Sequence, residues 1–331
     1  MTTSNDTQSP APPSAKKRRM KILRWIITLV VIGVVGYFFA RSLIDNWSEF
    51  QSHQLAFDWG WVLATILFAL AVALTGVVWA RVVRVVEKDV PITTTEAVAV
   101  QSLSWVLKYI PGQVGSVANK VLWAKKKGIS RMLIIISFVY ENVFLQIASI
   151  VPAAVILLIS LGPQIFGDNV TLLLLPLLVL IPMAMIMYRP LFHKIVNLPA
   201  RKVLKQDVPR EYFLSTWQSL RASLEFVGPR IVNGVGFVFI AASVSDITPS
   251  DWLPFAAAYV LAGAIGILAI FVPSGLGVRE AIIVAILSQY IPVPEAILIS
   301  LIARLLSTIG DLLVAGTYLV TRRTIPKEIR P

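Results

Sequence analysis

Long runs of apolar residues, separated by short polar segments, dominate the chain. A helix needs roughly 17–25 such residues to cross the hydrocarbon layer of a bilayer, which is about 30 Å thick. Six runs reach this length, at about 25–44, 60–80, 132–160, 171–187, 229–246 and 296–320. The pattern predicts an all-α, polytopic helical membrane protein.

Two further apolar stretches, at about 94–127 and 253–290, are interrupted in the middle, by YIPGQVG at 109–115 and by FVPSGLG at 271–277. The arm that follows each interruption has only about 11–13 apolar residues, which at 1.5 Å per residue is marginal for a full crossing. Proline and glycine suit tight turns, because proline lacks an N–H and glycine accepts unusual dihedral angles. The sequence therefore predicts two re-entrant helical hairpins beside about six full spans. The residues expected to shape their turns are Pro111, Gly112, Gly115, Pro273, Ser274, Gly275 and Gly277.

The distribution of basic residues predicts the orientation in the membrane. The chain carries 30 Lys and Arg against 18 Asp and Glu, a formal net charge of +12. With a cytoplasmic N-terminus, 27 of the 30 fall in cytoplasmic segments, as the positive-inside rule expects, and only Arg41, Arg279 and Arg304 do not. Both termini are therefore predicted to be cytoplasmic, and the basic charge calls for no nucleic-acid partner.

This orientation makes the two predicted hairpins enter from opposite faces. The first leaves from and returns to the cytoplasmic side, whereas the second begins near Asp251 and ends near Glu295 on the outer side. Aligned on their prolines, both interruptions read aromatic-aliphatic-Pro-x-x-aliphatic-Gly. Opposed broken hairpins of related sequence are typical of inverted-repeat transporters, whose binding sites lie near the membrane midplane.

The candidate chemistry of these hairpins is anion binding. The arm after each turn presents a helix N-terminus, the positive end of its dipole, to the membrane interior, and a cation follows, Lys120 in the first hairpin and Arg279 in the second. We predict a site for an anionic group such as a lipid phosphate. The alternative is that the turns only kink packed helices and that the cations snorkel to the interface.

Further ionisable residues fall within apolar stretches, where a charge at the membrane centre costs about 2.5–3.5 kcal/mol and usually faces a cavity or a partner. They are Glu141, Glu280, Arg304 and Asp311, which we predict to contribute to substrate binding together with Lys120 and Arg279. Arg304 and Asp311 share one helical face and could flank a polar path, while the carboxylates would orient the cations or exchange protons. Internal ion pairing that only locks the bundle is the alternative. For Asp311, simple exposure at the membrane interface is a further alternative, because this residue lies close to the cytoplasmic end of its predicted span.

Other motifs carry less weight. Gly234, Gly236, Gly263 and Gly266 are interpreted as close helix-packing positions. Segment 211–226 reads as an amphipathic helix, either on the cytoplasmic membrane surface or packed on the bundle. Its apolar side is expected to comprise Phe213, Trp217, Leu220 and Leu224.

The sequence offers no expected machinery for catalysis. It contains no cysteine and only two histidines, so zinc, haem and iron–sulfur sites of the usual ligand types are not expected. No nucleophile, metalloprotease or nucleotide-binding motif occurs. We therefore expect no cofactor, no metal and no enzymatic activity.

At its two hairpins the sequence resembles the lysylphosphatidylglycerol synthase transmembrane-domain family, which is also called flippase-like. The resemblance rests on VPSGLGVREA at 272–281 with Arg304 and Gly310, and more loosely on YIPGQVG at 109–115, KGIS at 127–130 and Glu141. It covers about residues 20–322. It departs from the family pattern after the first turn, with Ser116, Asn119 and Lys120, and at Asn142, which follows Glu141.

The resemblance implies a bacterial or archaeal integral membrane protein that moves polar lipids between leaflets, without the soluble domain that aminoacylates them; we expect it in the cytoplasmic membrane. We divide the chain into a disordered basic tail (1–20), a flippase-like transmembrane domain (21–322) and a short cytoplasmic tail (323–331). The expected function is to flip or bind an anionic phospholipid or a lipid-linked polar head group. The alternative is an accessory subunit that anchors a lipid- or glycan-modifying enzyme. Such an enzyme and a second copy of the chain are the candidate protein partners.

Overall fold

The computed structural model describes residues 57–89, 91–109, 114–162, 180–205, 207–268, 275 and 277–331. All regular elements in this part of the chain are helices, and residues 180–187 are helical as well. The predicted tail 1–20, the first span and most of span 171–187 lie outside the described residues, as do Pro111, Gly112, Pro273 and Ser274. The main helices are α1 (Trp59–Val86), α2 (Thr94–Val106), α3 (Val114–Lys126), α4 (Arg131–Leu161), α5 (Arg189–Leu204), α6 (Thr216–Glu225), α7 (Val227–Ala242), α8 (Trp252–Leu268), α9 (Val278–Leu287) and α10 (Val293–Thr321).

Four helical segments of the described chain are long and apolar enough to cross a membrane, which confirms a polytopic helical membrane protein. They are Trp59–Val86, Arg131–Leu161, Arg210–Ala242 and Val293–Thr324. Each contains or overlaps a predicted span. The third begins earlier than predicted, because α6 leads into α7 through the single residue Phe226.

The side chains on the outside of these helices are those that lipid favours. Leu63, Ile66 and Leu70 of α1 are exposed. Trp59 at the start of α1 is 77% exposed and Trp252 at the start of α8 is 51% exposed. Exposed tryptophans at helix ends are typical of the membrane–water interface. We therefore expect the exposed apolar surface to face acyl chains and these two tryptophans to lie at one interface.

The first predicted hairpin is confirmed. Helices α2 and α3 pack against each other and have 13 residues each, about 20 Å at 1.5 Å per residue. A capping box of Thr93 and Glu96 begins α2. Lys127, just after α3, forms an ion pair of 2.9 Å with the same Glu96. The hairpin therefore leaves from and returns to one end of the bundle.

The second predicted hairpin is also confirmed. Helices α8 and α9 pack against each other and have 17 and 10 residues. At the open end, the rings of Phe255 in α8 and Tyr290 just after α9 are in edge-to-face contact, with centroids 5.7 Å apart. At about 15 Å, α9 is half the length of a full crossing.

The two hairpins open at opposite ends of the bundle, as α1 shows. At the C-terminal end of α1, Arg84 donates a hydrogen bond to the carbonyl of Ile92, which precedes α2. At its N-terminal end, the Trp61 indole donates to Ser243 Oγ at 2.6 Å, in the loop that leads to α8. The hairpins therefore point toward each other, as the sequence predicts. Which membrane face each one enters, and with it the cytoplasmic location of the termini, stays a prediction.

Cysteine labelling tests this orientation in a chain that has no cysteine of its own. Lys126 at the open end of the first hairpin and Ser250 before α8 are both exposed. In intact cells, a membrane-impermeant maleimide is expected to label Ser250→Cys, while Lys126→Cys reacts only after permeabilisation. The cysteine-free parent is the control. Labelling of both sites from one side would contradict the opposed hairpins.

Close helix packing explains three of the four glycines singled out in the sequence. A Cβ on Gly234 would lie 2.8 Å from the Cβ of Ala256, and one on Gly236 would lie 3.0 Å from the ring of Phe68. Gly266 packs on the second turn. Among the described residues nothing lies within 4 Å of a Cβ placed on Gly263, so its role in helix packing stays a prediction.

The predicted amphipathic segment 211–226 is a shorter helix, α6, with a capping box of Ser215 and Gln218. Phe213 lies before the helix and is buried edge-on against Phe192, so its predicted place on the apolar face is wrong. The three remaining apolar residues, Trp217, Leu220 and Leu224, are exposed at helical spacing. The opposite face of α6 packs on the bundle through Ser219, Ala222 and Ser223. The interpretation that the segment packs on the bundle is therefore confirmed for one face, and contact of the exposed face with the membrane surface stays a prediction.

Candidate functional site

The tip of the first hairpin is fixed to the middle of α10. Lys108, in the helical turn after α2, donates to Asp311 Oδ1 at 2.9 Å and lies 2.8 Å from Oδ2. The indole of Trp105 donates to Asp311 Oδ1 at 2.6 Å. The Lys108 ammonium also lies 4.0 Å from the centroid of the Trp105 ring. Asp311 is therefore held by two groups of the tip rather than simply exposed at the interface.

The tip of the second hairpin is fixed to the same helix. The N–H of Gly277 donates to Glu280 Oε2 at 2.6 Å, which closes the first turn of α9. Glu280 Oε1 lies 3.6 Å from Arg304 Nη1 of α10. Arg304 and Asp311 lie on one face of α10, about 10 Å apart along its axis. The two tips thus contact the same face of a single helix, about two turns apart.

The backbone of the second turn requires glycine. Gly275 has φ +63°, and a Cβ at this position would lie 2.7 Å from the Cα of Gly266 and 2.8 Å from its carbonyl oxygen. Gly277, which precedes α9, has φ +83°. These left-handed conformations disfavour other residues, and the contact with Gly266 leaves no room for a side chain. Gly115 of the first hairpin is buried in the first turn of α3.

Arg279 brings a further cation to the point where the tips meet. Its guanidinium lies 4.2 Å from the centroid of the Tyr259 ring of α8. Tyr259 is itself stacked on Phe237 and Phe68, with centroid distances of 4.6 and 5.2 Å. The charges of Arg279 and Arg304 are both close enough to act on Lys108. Arg279 therefore stands on a rigid aromatic platform beside the tip of the other hairpin.

Arg230 of α7 is the remaining cation of this group. Arg230 and Arg279 are close enough for their positive charges to repel each other, and Tyr259 lies near both side chains. We call Lys108, Arg230, Arg279, Arg304, Glu280 and Asp311 the convergence cluster. Four cations and two carboxylates leave it with a net charge of +2. In the low dielectric of a bundle interior, such an excess favours the binding of an anion.

Lys120 and Glu141 form a separate group. Lys120 is 1% exposed and paired with Glu141 of α4, whose other oxygen accepts from Gln101 Nε2 at 2.8 Å. The Lys120 ammonium lies 4.1 Å from the centroid of the Trp79 ring. These contacts favour an ion pair that locks α1, α2, α3 and α4 together over the head-group contact predicted for Lys120. We therefore leave this pair out of the proposed anion site.

Four residues that the sequence predicts for the site lie in the convergence cluster, Arg279, Glu280, Arg304 and Asp311; their role in binding stays a prediction. Sequence reasoning missed Lys108 and Arg230, as well as the aromatic partners Trp105 and Tyr259. Both missed cations had been assigned to cytoplasmic segments, although each falls within the bounds of a predicted apolar stretch, 94–127 or 229–246. This overlap with an apolar stretch was the sequence signal that could have identified both cations as lying inside the membrane region. Within the described residues, no group of three or more His, Asp or Glu side chains could hold a metal ion.

Comparison with known proteins gives one result at the level of families. The family model described as the lysylphosphatidylglycerol synthase TM region matches residues 25–315, which is nearly the whole chain. The match includes both hairpins and most of α10, and therefore every residue of the convergence cluster. A comparison with curated proteins finds no match.

Proposed function

Because the chain belongs to the lysylphosphatidylglycerol synthase transmembrane-region family, we propose that it binds lipids with an anionic polar head group at the convergence cluster and moves them between leaflets. The family membership supports a multi-pass membrane protein related to lipid handling. The observation that carries the finer proposal is the meeting of two opposed hairpin tips at a net positive charge. The acyl chains of the lipid would stay in the bilayer, along the exposed apolar faces of the bundle.

The depth of the cluster supports this proposal. Arg304 lies about 16 Å from the start of α10, counted from Val293 at 1.5 Å per residue. Since the hydrocarbon layer is about 30 Å thick, Arg304 would lie near its middle, and Asp311 about 10 Å farther along the same helix. Ionisable groups at this depth are costly and are usually retained for a transported or bound group. A head group bound beside Arg304 would be about halfway between the two leaflets.

The accessibility of the cluster also fits a binding site. The side chains of Lys108 and Arg304 are each 24% exposed, whereas that of Lys120 is 1% exposed. Lys108 and Arg304 can therefore be reached from outside the bundle. The hairpins supply interrupted helices at the same depth, which is where inverted-repeat transporters bind their substrates.

We further propose that the protein acts without enzymatic chemistry and resides in the cytoplasmic membrane of a bacterium. The chain has no recognisable nucleotide-binding motif, so lipid movement would be downhill or coupled to an ion. A head group that enters the cluster would neutralise its excess charge and lower the barrier to crossing. The carboxylates Glu280 and Asp311 would orient Arg304 and Lys108.

Reconstitution tests the proposed function. Purified protein is placed in liposomes that contain a trace of phosphatidylglycerol with a fluorescent label on one acyl chain, and dithionite is added outside. We expect the quenched fraction to rise from about one half in protein-free liposomes toward completion. A quenched fraction equal to that of protein-free liposomes, at full protein incorporation, would contradict translocation. Such a result would favour the alternative of an accessory subunit.

A further inference from the structure

Arg230, in the first turn of α7, has unusual surroundings for a charged side chain in the described part of the protein. Its Nε is buried and has no hydrogen-bond partner among the described residues. Helix α7 packs on α8, and α8 packs in turn on α9, which brings the positive charge of Arg279 close enough to act on Arg230. Within the described residues, neither arginine forms an ion pair with a carboxylate.

Three other interior cations of the described helices are paired. Lys108 has Asp311, Arg304 has Glu280 and Lys120 has Glu141. A buried donor without a partner is costly, and two neighbouring positive charges repel each other. Among the described residues no carboxylate neutralises Arg230 or Arg279, although Arg279 has its cation–π contact with Tyr259. The repulsion between the two arginines and the unpartnered Nε of Arg230 are therefore a local cost. Unfavourable arrangements of this kind are characteristic of sites that a ligand completes.

The chemistry of the two groups indicates the ligand. A guanidinium is planar, stays charged and donates in a fork that matches two oxygens of a phosphate. Tyr259 fixes the plane of Arg279 by the cation–π contact of 4.2 Å and is also the neighbour of Arg230. A phosphate between the two guanidiniums would satisfy Arg230 Nε and remove the repulsion.

We infer that Arg230 and Arg279 together form a phosphate-binding subsite within the convergence cluster. This inference rests on the proposed function, since it names the part of the head group that the cluster recognises. Lys108 and Arg304 are already paired, so they would contribute long-range attraction rather than direct coordination. The phosphate would be the phosphodiester of a lipid or a free phosphate, and the two sources can be told apart by experiment.

Binding is measured on the full-length protein in detergent with three probes: dihexanoyl phosphatidylglycerol, glycerol 1-phosphate and inorganic phosphate. We expect Arg230→Gln to weaken binding of the lipid about ten- to hundredfold, the range for a lost charge-assisted hydrogen bond. The matched control is Arg323→Gln, which removes an exposed cation at the end of the bundle and should leave the affinity unchanged. The thermal midpoint of ligand-free Arg230→Gln should equal or exceed that of the wild type, because an unpaired buried charge is removed.

The outcomes separate the subsite from the proposed function. Unchanged affinity in Arg230→Gln would overturn the subsite, even if the wild type moves lipid in liposomes. A lowered thermal midpoint of Arg230→Gln together with wild-type affinity would also overturn the subsite. It would show that Arg230 has a structural role. Binding of inorganic phosphate but not of the lipid, with the same dependence on Arg230, would support the subsite and contradict the lipid function. Absence of binding of all three probes to the wild type would overturn the subsite.

Discussion

Arg279→Ala is expected to slow the exchange of labelled phosphatidylglycerol between leaflets by about ten- to hundredfold. The substitution removes the guanidinium that stands on Tyr259 at the meeting point of the two hairpin tips. It lowers the net charge of the convergence cluster from +2 to +1 and takes away a forked donor for phosphate. A charge-assisted hydrogen bond is worth about 1.5–3 kcal/mol, which sets the expected range. The rate is measured by dithionite quenching in liposomes.

Two variants control this experiment. Arg323→Ala removes an exposed cation at the end of the bundle and should exchange lipid at the wild-type rate. Arg279→Lys keeps the charge but loses the fork, so it should be intermediate. Gel filtration and the thermal midpoint show whether each variant is folded, since loss of the contact with Tyr259 costs about 0.5–2 kcal/mol. Wild-type exchange by a folded Arg279→Ala protein would exclude the proposed role of the cluster.

Lys120→Met should lower the free energy of unfolding by about 3–5 kcal/mol. The ammonium of Lys120 neutralises Glu141, and both side chains are almost completely buried. Removal of one partner leaves an uncompensated carboxylate in the bundle, and this is the costly way to break a buried ion pair. Stability is measured by denaturation of the purified protein in detergent.

The double variant Lys120→Met with Glu141→Gln provides the control. It removes both charges, and the amide at 141 still offers an oxygen to Gln101, so its stability should lie much closer to that of the wild type. It should also exchange lipid normally, because we assign this pair to structure. Loss of lipid exchange in a stable double variant would restore the head-group role that the sequence predicts for Lys120. A single variant as stable as the wild type would show that the pair does not lock the helices.

The sequence predicts the helices and hairpins well for physical reasons. The thickness of the bilayer sets the length of a span, so the runs at 60–80 and 132–160 reappear as α1 and α4. Proline and glycine at 273–277 mark a turn that the structure explains through the contact between Gly275 and Gly266. The opposed arrangement could be predicted because loop charge and the number of crossings together determine which way each hairpin opens.

The sequence cannot decide which cations reach the site. Lys120 follows the first turn as Arg279 follows the second, yet Lys120 turns toward α1 and α4. It shares a buried face of α3 with Ser116 and Trp123, at spacings of four and three residues, and that helical pattern was the signal for packing. Lys108 lies before the turn and reaches Asp311 only through the way α2 packs on α10.

Arg230 illustrates a different limit. It lies at the boundary between a basic segment and an apolar run, where the positive-inside rule explains it without further chemistry. Its closeness to Arg279 and Tyr259 depends on α8 packing against both α7 and α9. Phe213 was misplaced for a similar reason, because a capping box at Ser215 starts α6 after it. Local pattern does not determine such contacts between distant segments.

The most direct test of the central claim is the position of a head group in the protein itself. The measurement is a cryo-electron microscopy map in nanodiscs of phosphatidylglycerol, compared with a map in nanodiscs of an uncharged glycolipid. We expect density for a phosphate between Arg230 and Arg279, near the middle of the bilayer, in the first map and not in the second. Hairpin tips that lie far apart, or that meet without head-group density while ordered lipid is found only at the two membrane surfaces, would contradict the account.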